Sequence, residues 1–330
     1  MLVPMPVELQ TALEDHLAGK SLRQIGQATR DLSERYRSGA RPGAPIARSG
    51  EDVLAYAAYR LPATYAATVA ALSALREQRP EWSPRTMLDL GAGPGAGLWA
   101  AVSVWPEIQQ ITAVDAQPAM LILGRQLAAA SPDPAVRSAE WIAGNALTVP
   151  LSRRYDLVLI SYVLSELSPA KVAELVDRAW AATEGALVVV EPGTPSGFAR
   201  VVEAQERLAA SGGHVIAPCP HTPPCTVGEG DWLHFSVRLP RGEVHRLVKS
   251  SALGYEDEKF SYVVVARWPL EHPYARITRH PQIRPGNVSL QLCTPAGPKT
   301  VVVSKKDGEL FKRARKAAWG DLFALPDQAG

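Results

Sequence analysis

The stretch TMLDLGAGPGAGLWAAVSVW, residues 86–105, decides the fold: a short apolar strand, a glycine-rich turn, then a run of helix-forming residues. Gly91, Gly93 and Gly95 let the backbone reverse sharply and approach a ligand closely. A glycine-rich match is weak by itself and becomes informative when a strand precedes it and a helix follows. Outward from it, QQITAVD, SAEWIAG, YDLVLISY and GALVVVEP are further apolar strands separated by helix-length segments. That alternation predicts an α/β chain with a parallel, doubly wound sheet.

Asp115 closes the second strand, where its carboxylate can accept charge-assisted hydrogen bonds from both hydroxyls of a ribose, each contributing about 1.5–3 kcal/mol. Asn145 follows the third strand, where related folds place a polar group near an adenine ring. A dinucleotide fold shares the sheet and the acidic second strand. Three features count against it: the GxGxG spacing, Asp89 two positions ahead of the loop, and a sheet that begins only after some eighty helical residues. The pattern resembles the class I S-adenosylmethionine-dependent methyltransferases, a resemblance that puts Asp89 near the methionine end of the cofactor. A sheet of the same shape with no ligand is the competing reading.

Residues 1–84 carry helical signals, in VELQTALEDHLAG, SLRQIGQATRDLSERY and the Ala-rich EDVLAYAAYRLPATYAATVAALSALREQ, with a Gly/Pro/Ser-rich break at 38–50. Pro62 is expected to start or kink a helix. The organisation expected is a helical region over 1–84, a Rossmann-like core over 85–210, and a Cys-containing segment with final strands and a basic tail over 211–330. Beyond residue 210 the chain is expected to be irregular from His214 to Asp231, then to form strands in EKFSYVVVARW, VSLQLCT and KTVVVSK.

The 330 residues, 46% hydrophobic and 21% charged, can bury a full core. No apolar run approaches a membrane span, and Glu8, Glu14 and Asp15 speak against a secretory or transit leader. Three cysteines are too few for a disulfide framework, so a reducing, cytoplasmic setting is expected. The net charge of +2 hides an asymmetry, since residues 271–330 hold ten Lys/Arg against five Asp/Glu. Lys305, Lys306, Lys312, Arg313, Arg315 and Lys316 are therefore candidates to face RNA phosphates, the plain alternative being a solvated basic helix.

Catalysis is less legible. The segment after the fourth strand, ISYVLSEL, lacks the Asn/Asp-Pro-Pro-aromatic motif of amide- and adenine-directed enzymes, and Cys219 follows the fifth strand where a nucleophilic Pro-Cys would follow the fourth. Glu166 and Glu191 sit at strand ends, where a carboxylate equally serves as a helix cap or a cofactor contact. No catalytic residue is named. Cys219 and Cys225 flank CPHTPPC, whose prolines stiffen it, and with His221 and His234 nearby a mixed Cys/His zinc site competes with a pair of unrelated buried thiols.

Over nearly its whole length, from RLPATYAA through DLGAGPG, SYVLSEL, VEPGTP, APCPHTPPC, DWLHFSVRLPR and EDEKFSYV to VSKKDG and RKAAWGD, the chain resembles one family. It is similar to bacterial relatives of the mitochondrial small-ribosomal-subunit methyltransferase-like proteins, the family of methyltransferase-like protein seventeen. The resemblance implies a methyltransferase-like factor, bound to S-adenosylmethionine, that associates with the small ribosomal subunit and its RNA during assembly. It also implies an iron–sulfur cluster on four cysteines, carried here by Cys219, Cys225 and Cys293, while Leu233 stands where the family has its remaining cysteine. A four-iron cluster takes four thiolates. Three outcomes stay open: a cluster with a non-cysteine ligand, another metal such as zinc held with His221 or His234, or no metal. The functional alternatives are an assembly factor without catalysis, an rRNA methyltransferase, and a small-molecule methyltransferase.

Overall fold

In the computed structural model the described residues are 2–21, 24–28, 50–221, 230–240, 254–271 and 274–325. The expected loop at 38–50 therefore lies outside them, apart from Gly50, as do Cys225 and most of the second N-terminal helical segment.

The core sheet begins with β1 (Thr86–Leu90), β2 (Gln110–Asp115), β3 (Glu140–Ala143), β4 (Tyr155–Ser161) and β5 (Thr183–Pro192), paired in parallel in the order β3-β2-β1-β4-β5. Each matches a stretch read from the sequence; β1, β2, β4 and β5 do so because a strand covered on both faces is a near-continuous apolar run, whereas the edge strand β3 is half-exposed. The sheet then continues past residue 210. β8 (Tyr255–Ala266) lies antiparallel to β5, while β6 (His214–Ala217) and β7 (Phe235–Pro240) pair with successive halves of its other edge, giving eight strands. The residues from His214 are thus strand before they become irregular, and the 211–330 segment completes the sheet that the 85–210 stretch starts. A parallel sheet that doubles back about β1 and ends on an antiparallel pair is the class I methyltransferase arrangement.

Alternate residues of the strands face opposite layers. Leu88, Val158, Leu187, Val189 and Val263 pack under the helices Pro169–Ala181 and Pro195–Ala210. Met87, Ile111, Leu157 and Val188 face the other layer, where the helix Ala96–Val104 is buried on nearly every side. A helix apolar all round needs a second cover. The helix Gly50–Gln78 supplies it, with Ala63, Ala66, Ala67 and Ala71 fully buried, small residues that let the two backbones come close. Pro62 sits inside this helix and does not start it. No helix among the described residues is long and apolar enough to cross a membrane.

A second sheet of five strands follows: β9 (Ala275–Ile277), β10 (Gln282–Arg284), β11 (Asn287–Thr294), β12 (Gly297–Ser304) and β13 (Leu322–Phe323). The helix Glu309–Lys316 closes its small core through Phe311 and Ala314. Arg276 of β9, 2% exposed, joins this sheet to the long N-terminal helix by donating to Ala74 O, Glu77 Oε2 and Gly320 O at 3.3, 3.2 and 2.8 Å. Replacing it leaves buried carbonyls unpaired, at about 1–3 kcal/mol each. Arg276→Leu is expected to lower stability by about 2–4 kcal/mol, read as a lower midpoint in denaturant, while Arg284→Leu on exposed β10 changes it by less than about 0.5 kcal/mol.

Candidate functional site

Strand order reverses between β1 and β4, and ligands of open α/β sheets bind at the carboxyl ends of the strands beside such a reversal. The loop 91–95 lies there. Gly91, Gly93 and Gly95 all have left-handed φ, at 82°, 53° and 93°. The amides of Gly91 and Ala92 donate to Val114 O at 2.8 and 3.0 Å, tying the loop to the end of β2. Gly93 N donates to Asp115 Oδ2 and Gln117 N to Asp115 Oδ1, both at 2.8 Å. Each carboxylate oxygen keeps lone-pair capacity for a further donor, so this anchoring is compatible with the ribose role expected of Asp115.

Asp89 is buried at 2% exposure, and its Oδ1 has no hydrogen-bond partner. Burial, with the nearby charge of Asp115 as the smaller cause, pushes its carboxyl up to about 8. Burial also raises Asp115, against the two backbone amides that oppose the rise. Gly97 makes the room for Asp89, since a Cβ there would stand 2.2 Å from Asp89 Oδ2. A buried carboxyl with an idle oxygen beside a glycine loop fits a ligand that carries a positive charge. Asn145 is exposed after β3 and accepts from Leu147 N at 2.9 Å, while Gly144 N donates to Asp115 O, so residue 145 stands beside the end of β2.

Sequence reasoning missed two supports of this loop, Trp141 and Val163, and left the role of Glu191 open. Trp141 of β3 presses its ring against Gly95 and Gly124, where added Cβ atoms would meet it at 2.8 and 2.5 Å. Gly124 inside the helix Pro118–Ala128 was the available signal. Val163 closes over Gly91 in the same way. Glu191, fully buried at the end of β5, accepts from Leu164 N at 2.9 Å, and its position among the amides of residues 163–165 makes it the clamp of the segment after β4.

That segment is where a catalyst would hold its methyl acceptor. Here Tyr162 has φ 60°, the one positive φ outside glycine among the described residues, and its hydroxyl donates to Glu258 Oε1 at 2.8 Å. Arg60 lies over the Tyr162 ring, 5.0 Å from its centroid, and pairs with Glu258 at 3.4 Å. Tyr162, Glu258 and Arg60 are thus engaged with one another.

A second cluster lies between the two sheets. Cys219 follows β6 and Cys293 is on β11. With His221 they are all buried, and their donor atoms lie within 4.8 Å of one another. His221 N donates to Cys219 O at 2.9 Å, a tight turn that brings these two residues together. Leu233 is buried and lines the same small cavity as Cys219. His234 is not part of the group: its ring stacks on Trp232 and meets Trp319 edge-on. The whole chain has three cysteines, so the donors do not fit a four-thiolate cluster.

Lys305 and Lys306 lie in a short 3-10 turn, and Lys312, Arg313, Arg315 and Lys316 on the helix Glu309–Lys316, whose Phe311 and Ala314 face inward. All six are exposed, and Lys312 pairs with Glu309 at 2.6 Å.

Residues 50–324 match the family model described as mitochondrial small ribosomal subunit Rsm22. The chain is 33% identical over 293 residues to the human ribosome assembly protein METTL17, mitochondrial, a match covering 82% of this chain and 62% of that one. It is 27% identical over 331 aligned positions to the fission yeast Rsm22-cox11 tandem protein 2, mitochondrial, covering 83% of this chain and 43% of that one. It thus spans less than two thirds of the length of these relatives. Among solved structures it is similar to human N-acetylserotonin methyltransferase in complex with S-adenosylmethionine, at 16% identity and a TM-score of 0.43, covering 79% of this chain and 70% of that one. The sequence match over residues 50–324 and the identity to METTL17 show that this chain belongs to the Rsm22 family.

Proposed function

We propose that this chain is an S-adenosylmethionine-binding factor that associates with the small ribosomal subunit and acts in its assembly. The observation that carries the cofactor half is the loop 91–95 pinned to the Asp115 carboxylate beside the buried, idle oxygen of Asp89. In this reading Asp115 takes the ribose hydroxyls, Asn145 stands near the adenine ring, and Asp89 faces the charged methionine end. The cofactor supplies an activated methyl group. The protein's own residues bind and orient it.

The assembly half rests on family membership and on the exposed basic face of residues 305–316. RNA phosphates are the proposed partners of Lys305, Lys306, Lys312, Arg313, Arg315 and Lys316. A chain with only three cysteines suits a reducing setting such as the cytoplasm. The rival reading is an rRNA methyltransferase, and the mutual engagement of Tyr162, Glu258 and Arg60 at the acceptor position favours a factor that binds without transferring.

Titration calorimetry tests the cofactor half. Asp115→Ala is expected to weaken S-adenosylmethionine binding at least ~100-fold, the effect of two lost charge-assisted bonds. Binding should also release a proton near pH 7, because a cationic ligand ionises the Asp89 carboxyl that burial keeps protonated up to about pH 8. Enthalpies measured in buffers of different ionisation heat read that release, and Asp89→Asn should abolish it. Unaltered affinity in Asp115→Ala sinks the assignment.

Stability follows the same group. Burial pushes its carboxyl up to about 8 in the folded chain, far above the ordinary carboxylate value of 3.8, so the folded state keeps a proton that the unfolded state releases. This contribution is fully present below about pH 4 and is lost as pH rises towards 8. Denaturation midpoints of Asp89→Asn are expected to decline less than wild type over that window, and parallel profiles would contradict the burial account.

Co-sedimentation with immature small subunits tests the assembly half. The logarithm of affinity is expected to fall linearly with the logarithm of salt, and neutralising the six basic residues should flatten that slope by up to about 4, at roughly 0.7 per contact. An unchanged slope returns the helix to an ordinary solvated face.

A further inference from the structure

The strongest cluster outside the cofactor site is Cys219, His221 and Cys293. It joins two soft thiol donors and an imidazole in the buried interior. Donors around one tetrahedral zinc ion, at about 2.3 Å for sulfur and 2.0–2.1 Å for nitrogen, stand roughly 3.5–3.8 Å from one another. The three donor atoms here lie within 4.8 Å of one another, and His221 Nε2 and Cys293 Sγ, 2.9 Å apart, share a hydrogen bond that an ion between them would replace. A four-iron cluster places each thiolate on a different iron and so holds its ligands apart by the width of the cluster. The short spacing suits one ion, and Leu233 contributes an apolar wall in place of a thiolate.

We propose that Cys219, His221 and Cys293 hold a single zinc ion in place of an iron–sulfur cluster, with His221 as a direct ligand, and that the ion clasps the core sheet to the C-terminal sheet. Cys219 and His221 come from the turn that follows β6, and Cys293 from the middle of the second sheet, where it pairs with Arg276 and Pro298. One ion therefore ties together segments more than seventy residues apart in sequence, alongside the buried bonds of Arg276. The thiols lose their protons to bind, so zinc uptake releases protons and strengthens as pH rises. His234, held between Trp232 and Trp319, takes no part. The inference rests on the donors alone and is independent of the cofactor reading, so a chain that fails to bind S-adenosylmethionine still binds zinc.

The test is metal and acid-labile sulfide analysis of the full chain, purified without oxygen from cells supplied with both iron and zinc. One zinc per chain and no sulfide is the expected result. Cobalt added to chelator-stripped protein should give thiolate-to-metal charge-transfer absorption, lost in the Cys219→Ser/Cys293→Ser double variant. His221→Ala should weaken zinc by more than the ~100-fold that loss of an outer-shell partner reaches, while His234→Ala leaves it unchanged. His221→Cys, which keeps a donor at the position, should retain the ion and shift the cobalt bands, guarding against a variant that simply misfolds. Removing zinc should lower the thermal midpoint of the wild type and leave that of the double variant in place. Iron with sulfide in the purified chain, a folded chain without metal, or zinc affinity indifferent to His221→Ala each overturns the proposal.

Discussion

The backbone reversal at residues 91–95 is the constraint on which the rest of the structure depends. Three left-handed residues in five restrict the loop to glycine, and the hydrogen bond from Gly93 N to Asp115 sets where it points. The reversal aims the helix Ala96–Val104 back across the sheet, and that helix is apolar on all sides. A surface of that kind cannot face water, so the chain needs the Ala-rich helix Gly50–Gln78 over it. The same long helix receives Arg276 from the C-terminal sheet through Ala74 and Glu77. Core, N-terminal region and C-terminal extension are joined in one line of contacts that starts at the loop.

Electrostatics at the site follow from the same packing. Gly97 lets the helix approach so closely that Asp89 loses its water, and the carboxyl rises to about 8. Asp115, one strand away, keeps two backbone donors as compensation. The carboxylates therefore have distinct settings, one dry and proton-bearing, the other hydrogen-bonded to the glycine loop where the ribose is proposed to lie. On the opposite flank Glu191 and the Tyr162–Glu258–Arg60 group fix the segment after β4. That side is built for rigidity, which a binding factor needs and which does not by itself make an acceptor pocket.

The sheet was legible where strands are buried on both faces. TMLDL and GALVVVEP are unbroken apolar runs, and the glycines at 91, 93 and 95 announce their turn. The strands β9, β10 and β13 were not legible, since two or three residues such as QIR carry no periodicity and pair only because β11 and β9 are already in place. β6 was hidden because HVIA is too short to separate from the irregular segment that follows. Of the site, Asp89 and Asp115 could be read from their offsets to the glycine loop. Trp141, Val163 and the clamp role of Glu191 could not, because each acts through a neighbour brought near only by the tertiary fold. His221 showed the same limit: the sequence offered it beside His234, and only packing between the two sheets put it against Cys293.

The central claim is that this loop holds S-adenosylmethionine in a factor of the small subunit that binds without transferring the methyl group. The most direct measurement incubates the purified chain and immature small subunits with methyl-labelled S-adenosylmethionine, following bound label and label transferred to RNA separately. Saturable bound label with no label in the RNA is expected. Methyl groups appearing in the RNA, and disappearing with Asp115→Ala, would contradict it and make the chain an rRNA methyltransferase.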